Sequence, residues 1–188
     1  MNMTINSPAF SLKGKKGLIL GVANDHSIAW GCAQLAKEQG ADVVATCLND
    51  KARRFVEPLT GPAGIQLITC DVEQTGELEA AVQQAVQSLG HLDFVMHSIA
   101  WAPLADLHGQ VIDSSSTGFA RAMEVSCHSF ATLAKLCAPH MPQGGSLVTM
   151  TYLGADEAVP HYGLMGPVKA ALESLVRYVA LELGPQGI

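Results

Sequence analysis

Two tyrosines and a lysine form the most chemically suggestive group in this sequence. Tyr152 stands ten residues before Tyr162, and Lys169 follows seven residues after Tyr162. On a helix of about 3.6 residues per turn, seven residues are almost two turns, so a phenol and an ammonium at this spacing lie on nearly the same face. The phenol can give up a proton beside a stabilising positive charge. The spacing indicates a proton-handling pair, and the competing interpretation is a surface tyrosine with a solvated lysine.

Composition excludes several other classes of protein. The chain has 188 residues, of which 48% are hydrophobic, enough for the core of one domain. Only 11 residues are Lys or Arg and the net charge is −6, which argues against nucleic-acid binding through phosphates. The five cysteines form no CxxC motif and the seven histidines have no ligand spacing, so we expect reduced thiols and no metal.

Hydropathy along the chain predicts a cytoplasmic protein. Residues 1–8 lack a basic stretch followed by a long apolar run, so they do not resemble a secretion signal. No later segment reaches the roughly 18 apolar residues of a membrane helix. We therefore expect no association with a membrane.

Short β-rich runs alternate with longer stretches of helical period, the pattern of βαβ units around a parallel sheet. The predicted strands are Gly17 to Val22, Asp42 to Cys47, Ile65 to Thr69, Phe94 to His97 and Ser146 to Thr151. Right-handed crossovers then predict a single doubly wound, Rossmann-like α/β domain over residues 1–188, with strand order 3-2-1-4-5. Ligands bind such sheets beyond the carboxyl ends of the strands, where the order reverses.

Apolar stripes predict the helices that flank these strands. One runs from Leu78 to Leu89 and is ended by Gly90, a second runs from Phe119 to Cys137, and a third from Leu172 to Leu183. The spacing of each stripe marks a face that packs on the sheet.

The turn after the first strand has features of a dinucleotide site without the GxGxxG motif. Gly21 permits a tight turn, Ser27 is positioned to cap the next helix, and Gly31 is expected to let that helix approach the sheet. The helix N-terminus would face a pyrophosphate. Its predicted apolar positions are Ile28, Cys32, Leu35 and Ala36. An ordinary capped loop remains the alternative.

The ends of the second and third strands bear on the adenosine half of such a cofactor. The segment Leu48 to Asp50 contains no arginine to meet a 2′-phosphate, and although Lys51 follows closely, this favours NADH over NADPH. Asp71 and Val72 are candidates for reading the adenine edge, and a helix-preceding cap is the alternative role for Asp71.

These motifs together resemble the bacterial enoyl-acyl-carrier-protein reductases, a divergent branch of the short-chain dehydrogenases. The resemblance runs from about Leu12 to Ile188 and rests on Gly21 with Ser27-Ile28-Ala29, on Cys70-Asp71-Val72, on the segment from His97 to Pro103, and on Tyr152 with Tyr162-x6-Lys169. Ordinary short-chain dehydrogenases carry a Tyr-x3-Lys pair, whereas Gly166 stands at that position here. The longer spacing is the distinguishing mark.

The resemblance implies reduction by NADH of the trans-2 double bond of an enoyl thioester on acyl carrier protein, in a homotetramer. Tyr162 would donate to the thioester oxygen, Tyr152 would be a second catalytic tyrosine, and Lys169 would hold the nicotinamide ribose. Cofactor contacts would come from Gly21, Ser27, Ile28, Asp71, Val72, Ile99 and Lys169. The acyl substrate would lie against Ala102 and Met165. Trp101 stands where the family has an aromatic residue, with simple packing as the alternative.

Two features depart from the family pattern. Pro167 stands two residues before Lys169, and a proline beyond the first turn of a helix kinks it. We therefore predict a helix that begins close to Gly166, with Pro167 in its first turn. The chain also stops at Ile188, where the family continues into its last strands, so a truncated sequence is expected, with strand 5 left as an unpaired edge.

Two other functions stay open from the sequence alone. One is a carbonyl-reducing short-chain dehydrogenase, against which the Tyr-x6-Lys spacing counts. The other is a catalytically silent nucleotide-binding fragment, which the early chain end makes plausible.

Overall fold

Five parallel strands form one sheet, in the order β3-β2-β1-β4-β5. The computed structural model describes residues 11–188, so the N-terminal segment used to argue against a secretion signal lies outside the described residues. The strands are β1 Lys16–Leu20, β2 Asp42–Cys47, β3 Gln66–Thr69, β4 Phe94–His97 and β5 Ser146–Thr149. The predicted fold class and strand order are confirmed. Within residues 11–188, β5 pairs only with β4, as expected for an edge strand.

Helices cover both faces of this sheet. They are α1 Ile28–Glu38, α2 Asp50–Thr60, α3 Glu77–Leu89, α4 Leu104–His108, α5 Ser116–Met123, α6 Ser129–Cys137 and α7 Met165–Leu183. Alternate residues of β1 point to opposite faces, so Leu18 and Leu20 pack with α3 and α6, while Ile19 packs with α1 and α2. Among the described residues, no helix is both long and apolar enough to cross a membrane.

The helix predictions hold in two places and need one addition. The α3 helix ends at Gly90, whose φ of +87° is readily adopted by glycine. The α7 helix begins at Met165 with Pro167 in its first turn, as predicted. The long helix predicted before β5 is interrupted between α5 and α6 by a π-helical turn, Glu124–His128, which often marks a functional site.

Of the predicted apolar positions of α1, only Ala36 is buried. The side chains against the sheet are Ala29, Trp30, Ala33 and Ala36, whereas Ile28 and Leu35 are 57% and 47% exposed and Cys32 is exposed. The helix approaches the sheet through small alanines, so the larger apolar residues of the predicted stripe are displaced toward its edge.

Two further expectations about the first turn also fail. An added Cβ on Gly31 would meet no atom within 4 Å, so this glycine is not needed for close approach. Ser27 occupies the N-cap position of α1, but its side chain makes no capping bond. Its hydroxyl donates instead to the Asn24 carbonyl at 2.6 Å, which stabilises the preceding loop.

Candidate active site

Tyr152 and Tyr162 lie against each other beyond the carboxyl end of β5. Their ring centroids are 4.6 Å apart, with the ring planes inclined at 48°. Tyr152 is 49% exposed, and Tyr162 is partly buried. The Tyr162 ring lies directly on the backbone of Gly154, where an added Cβ would stand 2.3 Å from a ring carbon. Only a glycine at this position lets the two phenols adopt this arrangement.

A tight turn, not a helix, positions Tyr162. His161 has φ of +64°, uncommon for a residue with a side chain, and Gly163 has φ of +54°. A Cβ on Gly163 would stand 2.4 Å from the Leu107 carbonyl oxygen, so the turn packs tightly on α4. Because α7 begins only at Met165, Tyr162 precedes the helix. Tyr162 and Lys169 therefore do not share a helix face, contrary to the prediction from their seven-residue spacing.

Lys169 is buried in the first half of α7, with only 5% of its surface exposed. Its ammonium Nζ donates to the Met150 carbonyl oxygen at 2.7 Å, just beyond β5. Burial lowers the pKa of Lys169 because desolvation penalises the charged form, and the nearby Cys127 opposes this effect. Within residues 11–188, no hydrogen bond joins Lys169 directly to Tyr162, since the ammonium is directed to the strand end.

The Tyr162 phenol is protonated at neutral pH. Burial is the main cause that raises its pKa above the ordinary value, and the neighbouring Tyr152 adds to it. A protonated phenol is the form that can donate a hydrogen bond or a proton. Tyr162 also borders a cavity of about 360 Å³ whose wall includes the segment from Gly154 to Val159. This arrangement can place a donor on a polar atom of a molecule bound there.

A second cavity, a cleft of about 400 Å³, opens at the carboxyl ends of β1 to β4. Gly21 lies at its base with φ of +92°, and a Cβ there would stand 2.2 Å from the Ser98 carbonyl oxygen. The backbone N–H of Gly21 donates to the buried Thr46 hydroxyl at 3.3 Å, which holds the turn in place. The base of the cleft is therefore formed by backbone without a side chain, which a dinucleotide requires in order to approach closely.

The cleft brings together four of the predicted cofactor residues: Gly21, Asp71, Val72 and Ile99. Ser27, Ile28 and Lys169, which were also predicted to contact the cofactor, are not in its walls. Asp71 also serves a local turn, because its Oδ1 accepts from the Glu73 N–H at 3.0 Å. This is close to the alternative role considered for it, and contact with adenine stays a prediction.

Arg121 forms one wall of the same cleft, and the sequence analysis missed it. Its guanidinium pairs with the Glu73 carboxylate through Nε and through Nη2, the latter at 2.7 Å. Its Cζ also lies 4.0 Å from the centre of the Trp101 ring, a cation–π contact. Arg121 thereby connects the loop after β3 with the loop after β4.

The loop after β4 is fixed to the π turn. The Ser126 hydroxyl accepts from the Trp101 N–H at 2.8 Å and donates to the Trp101 carbonyl at 2.9 Å. Ala102 and Met165, predicted to contact the acyl chain, are both buried in the cluster beneath this loop. Neither borders the 360 Å³ cavity, so their contact with substrate stays a prediction.

Comparison with known proteins identifies the family. Residues 21–188 match the family model described as Enoyl-(Acyl carrier protein) reductase. The chain belongs to this enoyl-(acyl carrier protein) reductase family. The predicted resemblance is therefore confirmed, and it covers both the cleft and the Tyr152–Tyr162 pair.

Individual relatives agree with this assignment. The chain is 42% identical over 178 residues to an enoyl-[acyl-carrier-protein] reductase [NADH] of Rhizobium meliloti (strain 1021), covering 94% of this chain and 65% of the relative. A crystal structure of the enoyl-(acyl-carrier-protein) reductase of Anaplasma phagocytophilum in complex with NAD matches with a TM-score of 0.89 and 41% identity, covering 93% of this chain and 67% of that one. The chain thus spans about two thirds of the length of these relatives.

A third relative bears on the choice of cofactor. The Bacillus cereus enoyl-acyl carrier protein reductase, solved with NADP+ and indole naphthyridinone, matches with a TM-score of 0.90 and 37% identity, covering 94% of this chain and 70% of that one. Solved structures similar to this reductase-family chain therefore include complexes with NAD and with NADP+.

The structure also reveals a buried polar group in this reductase-family chain that sequence reasoning did not assign. His97, the last residue of β4, is 1% exposed and contacts the hydroxyls of Thr149 and Ser129. A histidine at the end of an otherwise apolar, buried strand was the available signal. No group of three potential metal ligands comes together within the part of the chain that the structure describes.

Proposed function

We propose that residues 1–188 form one dinucleotide-binding domain that reduces the trans-2 double bond of an enoyl thioester on acyl carrier protein with NADH. The observation that carries this proposal is the Tyr162 phenol, protonated and bordering a 360 Å³ cavity at the same sheet edge as the dinucleotide cleft. Membership of the reductase family supports the reaction type.

The cleft suits a dinucleotide, because Gly21 leaves no side chain over its floor. Gly21, Asp71, Val72 and Ile99 would hold the cofactor, with Ser27 and Ile28 at the start of α1 and Lys169 on the nicotinamide ribose. Bound NADH would supply a hydride to the β-carbon of the substrate. The other catalytic groups would be side chains of this chain.

Reduction of the double bond places negative charge on the thioester oxygen as an enolate forms. A donor already aimed at that oxygen stabilises the charge, and removal of one such donor costs about 100- to 1000-fold in rate. We assign this donor to Tyr162. Tyr152, at 4.6 Å between ring centroids, would hold the Tyr162 ring and act as the second tyrosine of the site. Ala102 and Met165 would lie beneath the acyl chain.

NADH is proposed over NADPH because the polar side chains that follow β2 already bind other parts of the chain. The Asn49 side chain accepts from the Ala52 N–H at 3.0 Å, so it caps α2. The guanidinium of Arg53 donates to the Leu67 carbonyl and to Glu57, each at 3.2 Å. The nearest arginine along the chain is thus directed to β3 instead of toward a 2′-phosphate. A preference for NADPH in calorimetric titrations would contradict this assignment.

Substrate choice tests the proposal directly. The chain is incubated with NADH and either crotonyl or acetoacetyl thioester, and oxidation of NADH is followed. Turnover of the crotonyl substrate is expected, with a large loss in Tyr162→Phe and no change in the control Tyr178→Phe, whose ring is 64% exposed on α7. Turnover of acetoacetyl thioester alone would favour the carbonyl-reducing alternative. Binding of NADH with no turnover would favour the silent nucleotide-binding module.

Partners and location follow from the same proposal. The substrate would arrive on acyl carrier protein in the cytoplasm, and a homotetramer is expected by likeness to the family. Light scattering measures the assembly of this chain, and a monomer at working concentrations would contradict the expected oligomer.

A further inference from the structure

His97 connects three elements behind the active site. Its Nδ1 lies 3.0 Å from the Thr149 hydroxyl on β5, and its Nε2 lies 2.8 Å from the Ser129 hydroxyl, at the start of α6. His97 and Thr149 are direct partners in the parallel register of β4 and β5. The edge of the Phe130 ring also packs on the imidazole, with ring centroids 5.8 Å apart.

The direction of each hydrogen bond follows from the number of available protons. The Ser129 hydroxyl donates to the Val125 carbonyl at 2.7 Å, and a hydroxyl has only one proton, so Ser129 must accept from His97. Nε2 therefore carries the proton. In a neutral imidazole Nδ1 is then an acceptor, and Thr149 donates to it. Burial, and then the positive charge of Lys169, lower the pKa of His97 to about 4, so the ring is neutral at physiological pH.

Thr149 immediately precedes the residue whose carbonyl binds Lys169. Met150 follows Thr149, and its carbonyl oxygen accepts from the buried Lys169 ammonium at 2.7 Å. A buried charge requires a fixed partner, because a misplaced acceptor leaves the charge desolvated and unpaired. The position of the Met150 carbonyl depends on how firmly the end of β5 is held.

We propose that His97 is a positioning residue for Lys169. Its Nδ1 anchors Thr149 and so fixes the adjacent Met150 carbonyl that orients the ammonium, while its Nε2 ties the end of β4 to Ser129 at the start of α6. This inference rests on the proposed function only in that Lys169 is taken to bind the nicotinamide ribose.

Two substitutions separate the two sides of the imidazole. In His97→Asn the amide oxygen can take the place of Nδ1, so the acceptor for Thr149 is kept. In His97→Gln the amide can replace Nε2 and the acceptor for Thr149 is lost. Thr149→Val removes the same bond from the other side with little change of volume. The matched controls are Thr132→Val, on the outer part of α6, and His128→Asn, exposed on the π turn.

The first measurement is the affinity for NADH by calorimetry, at a temperature at which every variant is folded. His97→Gln and Thr149→Val are expected to weaken binding by about tenfold, the effect of one lost hydrogen bond. The double variant His97→Gln/Thr149→Val should bind NADH no more weakly than either single variant, because both substitutions remove the same hydrogen bond. His97→Asn and the two controls should bind like the wild type. Equal affinity in all folded variants would overturn the proposal.

The second measurement does not require NADH binding. The pKa of Lys169 is followed by NMR of its Cε as pH is raised, and the tautomer of His97 by the ¹⁵N shifts of its ring. A protonated Nε2 and a Lys169 pKa that falls further below its ordinary value in His97→Gln and Thr149→Val, but not in His97→Asn, are expected, because the ammonium loses its acceptor. Failure of the wild type to bind NADH would contradict the proposed function alone. A Lys169 pKa that is identical in all variants, or a protonated Nδ1, would overturn the role of His97.

Discussion

His97 should make the fold sensitive to mild acid. Its pKa falls from an ordinary value of 6.5 to about 4 in the folded chain, mainly because burial disfavours the imidazolium and also because Lys169 is nearby. Below pH 6.5 the unfolded chain therefore binds a proton that the folded chain excludes. The stability present above pH 6.5 is lost as the pH falls toward 4.

The size of the effect follows from this difference in pKa. One pH unit between the folded and unfolded values corresponds to about 1.4 kcal/mol, so the loss attributable to His97 is about 2 kcal/mol at pH 5 and about 3 kcal/mol at pH 4. For a chain of this length, a loss of about 2 kcal/mol lowers Tm by about 4 to 8 °C. These values are large enough to separate from the titration of surface groups.

Urea unfolding at pH 7, 6 and 5, followed by tryptophan fluorescence, measures the effect. The free energy of unfolding of His97→Asn should fall less between pH 7 and pH 5 than that of the wild type, by about 2 kcal/mol, because the amide does not titrate. His26→Asn is the matched control, since the His26 side chain is 91% exposed. Parallel pH dependences for the wild type and His97→Asn would refute the buried, neutral histidine.

Four further substitutions test other features of the structure. Gly154→Ala should lower kcat with little loss of stability, because its Cβ would stand 2.3 Å from the Tyr162 ring. Gly31→Ala should stabilise the chain by up to about 1 kcal/mol, since its Cβ meets no atom within 4 Å and alanine favours a helix. One thiol should react rapidly with Ellman's reagent, and Cys32→Ser should abolish that reaction, because Cys32 is exposed. Arg121→Met should weaken NADH binding several-fold in calorimetry.

These four predictions have distinct contradicting results. Normal kcat in Gly154→Ala would mean that the tyrosine pair can move without loss of function. Lower stability of Gly31→Ala in urea would mean that α1 approaches another surface there. More than one fast thiol would contradict the burial of the other four cysteines. For Arg121→Met, the control is Arg177→Met on the outer face of α7. Equal affinity of the two variants for NADH would mean that Arg121 does not contribute to NADH binding.

The order of the sheet could be predicted from the sequence because strands and crossovers leave strong local patterns. Each buried parallel strand is an apolar run, and handedness leaves few ways to connect five of them. The start of α7 was equally predictable, because Pro167 fits only in a first turn. These features depend on neighbours along the chain.

The face of α1 and the position of Tyr162 could not be predicted in this way. Alanine and larger apolar residues alternate along α1, and only the sheet decides that Ala29 and Ala33 face inward while Ile28 and Leu35 do not. Tyr162 depends on a turn with positive φ at both His161 and Gly163, which is fixed by packing on α4. Contacts between segments distant in sequence determine both.

Polar side chains at strand ends organise the candidate site of this chain more directly than helical spacing does. Thr46 at the end of β2 holds the Gly21 turn, and Thr149 at the end of β5 holds the residue whose carbonyl orients Lys169. Because an unpaired buried polar atom costs about 1 to 3 kcal/mol, each such group requires a partner. Among residues 11–188, no buried side-chain nitrogen or oxygen lacks a partner. A polar residue that ends a buried strand, such as His97, is therefore a stronger marker of this site than the seven-residue interval between Tyr162 and Lys169.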